Sequence, residues 1–298
     1  MFIPTTRLGL LVAAVLTVFT GNASATVFQF NTTGTGVAVT NTFNADQIVL
    51  TALGVSTVTV TDGGIIPNGV IDIDPNGLIG GLSTDDTFVE TGLVQMVNFR
   101  LGGVGILPGV SGLDVNYQLF LVYNDLAIPG LGGPLNGKVA VDSAGNAVVQ
   151  FLSPTNAKLY LDYGLVAGSP NGVFDIGSSE LIASLTLDPT AISNCLVPSL
   201  GAAQGTCVID TVMSTPINTV FTVAGNDTEG AEMRLDFNVD QTRPGPFAAA
   251  FPSGELTQVR TIDHDGSARI NINVVPEPNI LALFGLGLLG FWRLTRKK

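Results

Sequence analysis

The sequence predicts an all-β chain: an antiparallel β-sandwich of about a dozen strands, flanked by an N-terminal signal helix and a C-terminal membrane helix. Two observations carry the β assignment. From Thr26 onward, short runs of alternating apolar and polar residues recur, and Gly, Pro, Asn and Asp punctuate them, which is the pattern of strands and turns. Outside the two ends, no stretch of ten residues repeats its apolar positions at a helical period. The third observation is that the ends differ from the middle: each is an apolar run with cations beside it.

At the N-terminus Arg7 precedes an apolar stretch over residues 8–19, and Ala23-Ser24-Ala25 supplies the small-x-small pattern that signal peptidase cuts. Residues 1–25 therefore read as a signal peptide, with cleavage marked by Ala23 and Ala25. Residues 26–274 read as a single exported sandwich-like domain, with room for a second, smaller sheet. The clearest strand is 231–239, where Ala231, Met233, Leu235, Phe237 and Val239 alternate with Glu232, Arg234, Asp236 and Asn238. Residues 268–274 repeat the arrangement with Ile270, Ile272 and Val274. Further strands are expected at 47–51, 56–61, 94–101, 115–123, 138–141, 147–152, 158–162, 181–187, 208–213 and 220–223. Alternation puts Tyr117, Leu119, Leu121 and Tyr123 on one face, a core face. Pro67-Asn68-Gly69-Val70-Ile71-Asp72-Ile73 returns as Pro170-Asn171-Gly172-Val173-Phe174-Asp175-Ile176, but the flanks do not match, so a recurring turn and strand is expected and not a duplicated domain.

Composition narrows the function. Residues 26–275 hold seven Lys and Arg against 23 Asp and Glu, a net charge of −16. Such a surface repels nucleic acid and anionic lipid, so no nucleic-acid partner is expected. Charged residues make up only 12% of the chain, about half the usual ~25%. Solubility then rests on hydroxyls and amides, a surface that can also hydrogen-bond to sugars.

Cys195 and Cys207 form an even, close pair in an exported chain, which predicts a disulfide. A metal site is the rival, but no further Cys or His lies close enough in sequence to complete a ligand set. The acidic loop Asp72-x-Asp74-x-Asn76-Gly77 has the spacing that gathers oxygen ligands around a calcium ion. An EF-hand would need Glu at its twelfth position, where Ser83 stands, and Pro75 stiffens the loop; Asp85 and Asp86 follow two residues late. A Gly-rich acidic turn without an ion has the same composition, and both readings stay open. Calcium is the only cofactor the sequence suggests.

Catalytic chemistry has little to work with. His264 is the one His, set in Asp263-His264-Asp265-Gly266, and there is no G-x-S-x-G, H-E-x-x-H or C-x-x-C. No catalytic residues are assigned. A carboxylate pair for glycoside hydrolysis meets in space and not in sequence, so spacing neither supports nor excludes it.

The C-terminus has three parts in order. Pro276-Glu277-Pro278 is a stiff, extended tripeptide, because each proline fixes its own φ and disfavours helix in the residue before it. An apolar run over 280–292 follows, then the cations Arg293, Arg296, Lys297 and Lys298, the pattern of a membrane span whose basic end stays cytoplasmic. Thirteen apolar residues cover only about 20 Å of a ~30 Å hydrocarbon core, so the span is taken as 278–294. Gly285-Leu286-Gly287-Leu288-Leu289-Gly290 spells a dinucleotide fingerprint, but residues 291–298 are too few for the βαβ unit that motif needs.

In this order of parts, residues 275–298 resemble a PEP-CTERM sorting signal. The resemblance implies processing by exosortase in a Gram-negative bacterium that makes exopolysaccharide, a transient inner-membrane anchor, and delivery to the cell surface or extracellular matrix. Phe43-Asn44-Ala45-Asp46-Gln47-Ile48, the segments 87–101 and 117–123, and Lys158-Leu159-Tyr160-Leu161-Asp162-Tyr163 are similar to flocculation-associated PEP-CTERM proteins. That likeness implies a non-enzymatic surface protein, associated with exopolysaccharide, that contributes to cell aggregation in flocs or biofilm. A secreted polysaccharide-modifying hydrolase and a calcium-dependent carbohydrate-binding module are the alternatives.

Overall fold

A computed structural model describes residues 26–51, 55–64, 69–75, 81–123, 132–152, 156–164, 174–197, 205–215, 220–239, 257–263 and 267–273. In chain order its strands are β1 (Phe28–Asn31), β2 (Thr42–Ala45), β3 (Gln47–Thr51), β4 (Val55–Thr61), β5 (Thr87–Leu101), β6 (Val104–Gly105), β7 (Gln118–Tyr123), β8 (Leu135–Val141) and β9 (Ala147–Phe151). After them come β10 (Asn156–Asp162), β11 (Ser179–Leu187), β12 (Asn194–Val197), β13 (Gly205–Ser214), β14 (Phe221–Val223), β15 (Asn226–Asp227), β16 (Glu232–Val239), β17 (Thr257–Asp263) and β18 (Ser267–Asn273). The helices among the described residues are one turn each: α1 (Pro108–Ser111) and a 3₁₀ turn at Ile176–Ser178.

Two long strands organise the sheet. β5 pairs with β4 and then β3 along one edge, and with β8 and then β7 along the other. β13 pairs with β16 along one edge, and with β12 and then β11 along the other. Between these two, β18 joins β3 to β16, β10 joins β7 to β11, and β9 joins β8 to β12. The ladders thus close into a circuit, β5–β7–β10–β11–β13–β16–β18–β3, in which every pair is antiparallel. Both walls of the sandwich share β5 and β13, so neither wall ends there in an open row of N–H and C=O groups that could template aggregation.

Val55 lies opposite Asp263 and Thr51 opposite Ser267, so β3 with β4, and β17 with β18, keep one register. In β5 the inward positions run Phe88, Glu90, Gly92, Val94, Met96 and then Phe99. The change of parity is a bulge: Val49 faces Asn98 while Leu50 faces Met96, leaving one extra residue on β5. Without it, Phe99 would point away from the core.

β1, β2, β14 and β15 form the second, smaller sheet. It covers the end of the sandwich where β5 finishes, through aromatic packing: the Phe30 ring is 4.9 Å from Phe99, 5.1 Å from Phe221 and 5.9 Å from Tyr117. Phe28, Phe30, Phe99, Tyr117 and Phe221 have no exposed surface. Aromatic pairs of this kind add about 0.5–1.5 kcal/mol each beyond area burial.

The fold is all-β and antiparallel, as expected, and Tyr117, Leu119, Leu121 and Tyr123 belong to the main core cluster. β7 is buried on its other face as well, where Phe120 and Val122 pack with Tyr160 and Phe174. The strand expected at 115–123 starts only at Gln118: residues 112–116 form a turn in which Val115 and Asn116 donate to Gly112 O and Asp114 adopts φ 58°.

Candidate functional site

The one group of carboxylates that converges among the described residues lies where the strand β4 ends and β5 begins. Carboxylate oxygens of Asp72, Asp85 and Asp86 lie within 4.8 Å of one another. Asp86 is fully buried, Asp72 half-buried and Asp85 exposed, so the group opens to solvent on one side. Asp86 accepts from Gly63 N at 3.0 Å and from Asp72 N at 2.7 Å. Thr84 Oγ1 donates to Asp72 Oδ2 at 3.2 Å and accepts from Asp86 N at 2.9 Å. Beside them Asp62 Oδ2 accepts from Gly69 N at 2.5 Å.

This arrangement depends on a glycine pair. A Cβ at Gly63 would strike the carbonyl oxygen of Asp85, and one at Gly64, whose φ is +93°, would strike the Asp85 carboxylate. Only residues without a side chain let the 62–64 turn lie against Asp85. Burial, reinforced by the charges of Asp72 and Asp62, pushes the Asp86 carboxyl above its ordinary 3.8, while its two backbone donors pull the other way. Repulsion among carboxylates held this close is what a hard cation relieves. Three hard oxygen donors, no nitrogen or sulfur, and room for water on the exposed side fit calcium better than a transition metal.

The structure redistributes the expected ligand set. Asp72 is in the cluster, whereas Asp74 Oδ2 accepts from Ser83 N at 2.8 Å and serves the turn. Asn76 and Gly77 lie outside the described residues. The partners of Asp72 are instead Asp85 and Asp86, with Gly63-Gly64 as the element that sequence spacing did not flag. An Asp-Gly-Gly triplet at 62–64 is the signal that could have found it.

Cys195 and Cys207 are bonded to each other, as expected. They are direct partners across β12 and β13, with Cα atoms 3.9 Å apart. This is closer than both the 4.4–6.8 Å usual for disulfides and the about 4.5 Å of the nearer kind of antiparallel pair. Both sulfurs are buried, and Cys207 shares a small cavity with Glu90, Tyr123, Leu135, Phe151, Ile209 and Phe237.

Ala23, Ala25, His264, Pro276, Glu277, Pro278, Arg293, Arg296, Lys297 and Lys298 lie outside the described residues, as does the expected span 278–294. Among the described residues no helix is long and apolar enough to cross a membrane. Residues 274–297 match the family model for the PEP-CTERM protein-sorting motif. The C-terminus is a PEP-CTERM sorting signal. The signal indicates an exported protein that exosortase processes after a transient membrane-anchored step in a Gram-negative bacterium. No curated protein and no solved structure matches the chain.

Proposed function

We propose that this is a non-enzymatic protein of the bacterial cell surface or extracellular matrix, associated with exopolysaccharide and contributing to cell aggregation in flocs or biofilm. The observation that carries the reading is the PEP-CTERM signal at 274–297. It is joined to an acidic β domain poor in Lys and Arg, whose hydroxyl and amide groups suit hydrogen bonding to a polymer. Signal peptidase removes residues 1–25, exosortase acts near Pro276-Glu277-Pro278, and the released domain links polymer chains. Deleting the gene should alter aggregation while leaving polymer length and composition unchanged. If deletion lengthens the polysaccharide and purified protein shortens it, the protein is a hydrolase and this reading is wrong.

A second reading, a calcium-dependent carbohydrate-binding module, is favoured by the convergence of Asp72, Asp85 and Asp86. Calcium held there would fix the 62–64 turn against the start of β5. Co-sedimentation with the host's own polymer, with calcium and with chelator, separates the two: the matrix reading expects binding in both, the module reading only with calcium.

A further inference from the structure

One end of the sandwich carries a cluster of exposed apolar side chains. Leu101, Val104, Leu107, Val110 and Val115 are five of the fifteen large hydrophobic side chains exposed among the described residues, and they fall within one fifteen-residue stretch. Val104 and Leu107 are 71% and 72% exposed. Scattered single exposures need no explanation, but a contiguous apolar surface marks an interaction site. Residues 101–113 hold no Asp, Glu, Lys or Arg, in a chain with net charge −12.

The stretch is held in place. Leu101 and Val104 flank a two-residue hairpin turn whose glycines, Gly102 and Gly103, have φ of 58° and 80°, as a type I′ turn requires. Gly102 N donates to Asp46 Oδ2 at 2.7 Å, and Ile106 N donates to Phe99 O at 2.7 Å. Asn41 Nδ2 donates to Val110 O at 3.1 Å, and Tyr117 Oη donates to Ser111 O at 2.7 Å. These side chains are presented to the outside by ordered backbone.

The register shows what they face. Phe99 lies opposite Ile48, and Ile48 opposite Ile270. Leu101 is two residues past Phe99, and Asn273 is three past Ile270, both toward the same end. The last residue of β18 therefore stands level with the apolar turn, two strand spacings or about 10 Å to the side. Only residues 274–279 separate Asn273 from the apolar run at 280–292 of the sorting signal. Six extended residues reach at most about 22 Å, and the headgroup layer takes up about 5–7 Å of that. While the chain is anchored, this end of the domain is held within about 15 Å of the membrane surface.

We propose that the 101–115 tip is a lipid-docking surface, which seats in the outer face of the inner membrane while the sorting signal is uncut and is released by cleavage. This would hold the Pro276-Glu277-Pro278 segment beside the bilayer in one orientation. The remaining acidic surface opposes such contact, and the tip, without a charged residue over 101–113 and with Asp114 half-buried, is the part that can make it. The inference rests on the anchored stage that the sorting signal implies and not on the proposed matrix role.

The test uses the uncut chain with its C-terminal segment intact, reconstituted into phosphatidylcholine vesicles with and without lipid brominated in the upper acyl chain. Trp292 is the only Trp, so in a Trp292→Phe background Val104→Trp places a single reporter at the tip. Ala144→Trp places one at the opposite end, in the exposed turn between β8 and β9. The expected result is blue-shifted emission and quenching by brominated lipid for Val104→Trp, with neither for Ala144→Trp. Equal, unquenched signals would overturn the proposal. A blue shift without quenching would also overturn it, since the tip would then be covered by protein, either a second copy or the chain's own apolar segment. Trp292 of the unsubstituted chain reports anchoring itself: if brominated lipid leaves it unquenched, the anchored stage fails and the docking with it.

Discussion

Replacing both cysteines, Cys195→Ala with Cys207→Ala, isolates what the cross-link between β12 and β13 contributes. Alanine is the suitable replacement because both sulfurs lie in the core, where serine would bury hydroxyls. The bond joins residues twelve apart in sequence. In the chain-entropy model a loop of about that size stabilises by about 3 kcal/mol, and at ~2–4 °C per kcal/mol for a domain of this length the loss is roughly 6–12 °C in Tm. The native ladder should survive, since Cys207 also lies opposite Phe237 of β16 and Cys195 opposite Val149 of β9. Thermal unfolding by circular dichroism measures the shift, on the oxidised protein, the reduced protein and the alanine pair. The last two should unfold together at the lower temperature, and reduction should be slow below it because reductant must wait for β12 to open. A difference under about 2 °C between oxidised and alanine forms would refute the reasoning, since the loop would then be as restricted in the unfolded chain without the bond.

Four other outcomes are expected. Calcium at a hundred times its dissociation constant should stabilise the protein by about 2.7 kcal/mol, roughly 5–11 °C in Tm, and chelator should reverse it; an unchanged Tm at millimolar calcium rules out the Asp72, Asp85 and Asp86 site. Burial raises the carboxyls of Asp86, Asp114 and Asp210 above 3.8, so the stability tied to their protons is complete below the unfolded value and is lost as pH rises through the folded values. Metal-free protein should therefore gain Tm as pH falls from neutral toward the ordinary carboxylate range, helped by relief of its net negative charge, and a steady fall in Tm over that descent would contradict this. Gly137→Ala should destabilise by about 1–3 kcal/mol or more in chemical denaturation, because its Cβ would meet Gln150 O and Phe88 Cε1; an unchanged midpoint would mean that β8 and β9 are not paired there. Protein released into the matrix should lack Arg293 to Lys298 by intact mass, and a full-length C-terminus in that fraction would remove the sorting account.

The features legible in the sequence are those set by neighbours along the chain. Alternation at 231–239 assigned the faces of β16 correctly: Ala231, Met233, Leu235 and Phe237 are buried, and Glu232 and Arg234 are exposed. Such patterns give a strand's two faces but not its partners. Nothing local says that β5 changes partners on both edges, or that β13 passes from β12 to β11 along one of its edges. β1 and β2, each four residues long, are too short for a period to emerge, although Phe28, Phe30 and Phe43 from them fill the end of the core. β12, also four residues, was not among the expected strands.

The same division separates the two candidate functional features. A sorting signal is read as a linear string, so Pro276-Glu277-Pro278, the apolar run and the basic end carry their meaning without a fold. The acidic cluster is assembled from Asp72 on one loop and Asp85 with Asp86 at the foot of β5, and it closes only because Gly63 and Gly64 admit the Asp85 backbone. Spacing alone favoured Asp74 and Asn76, the residues a helix-flanked calcium loop would use. Here the loop enters a strand, and Asp74 Oδ2 accepts from Ser83 N outside the group of three. The apolar tip is the intermediate case. Its composition was visible as an uncharged run at 101–113, but the chain's exit toward the membrane comes level with it only through the two ladders that place Phe99, Ile48 and Ile270 in one row.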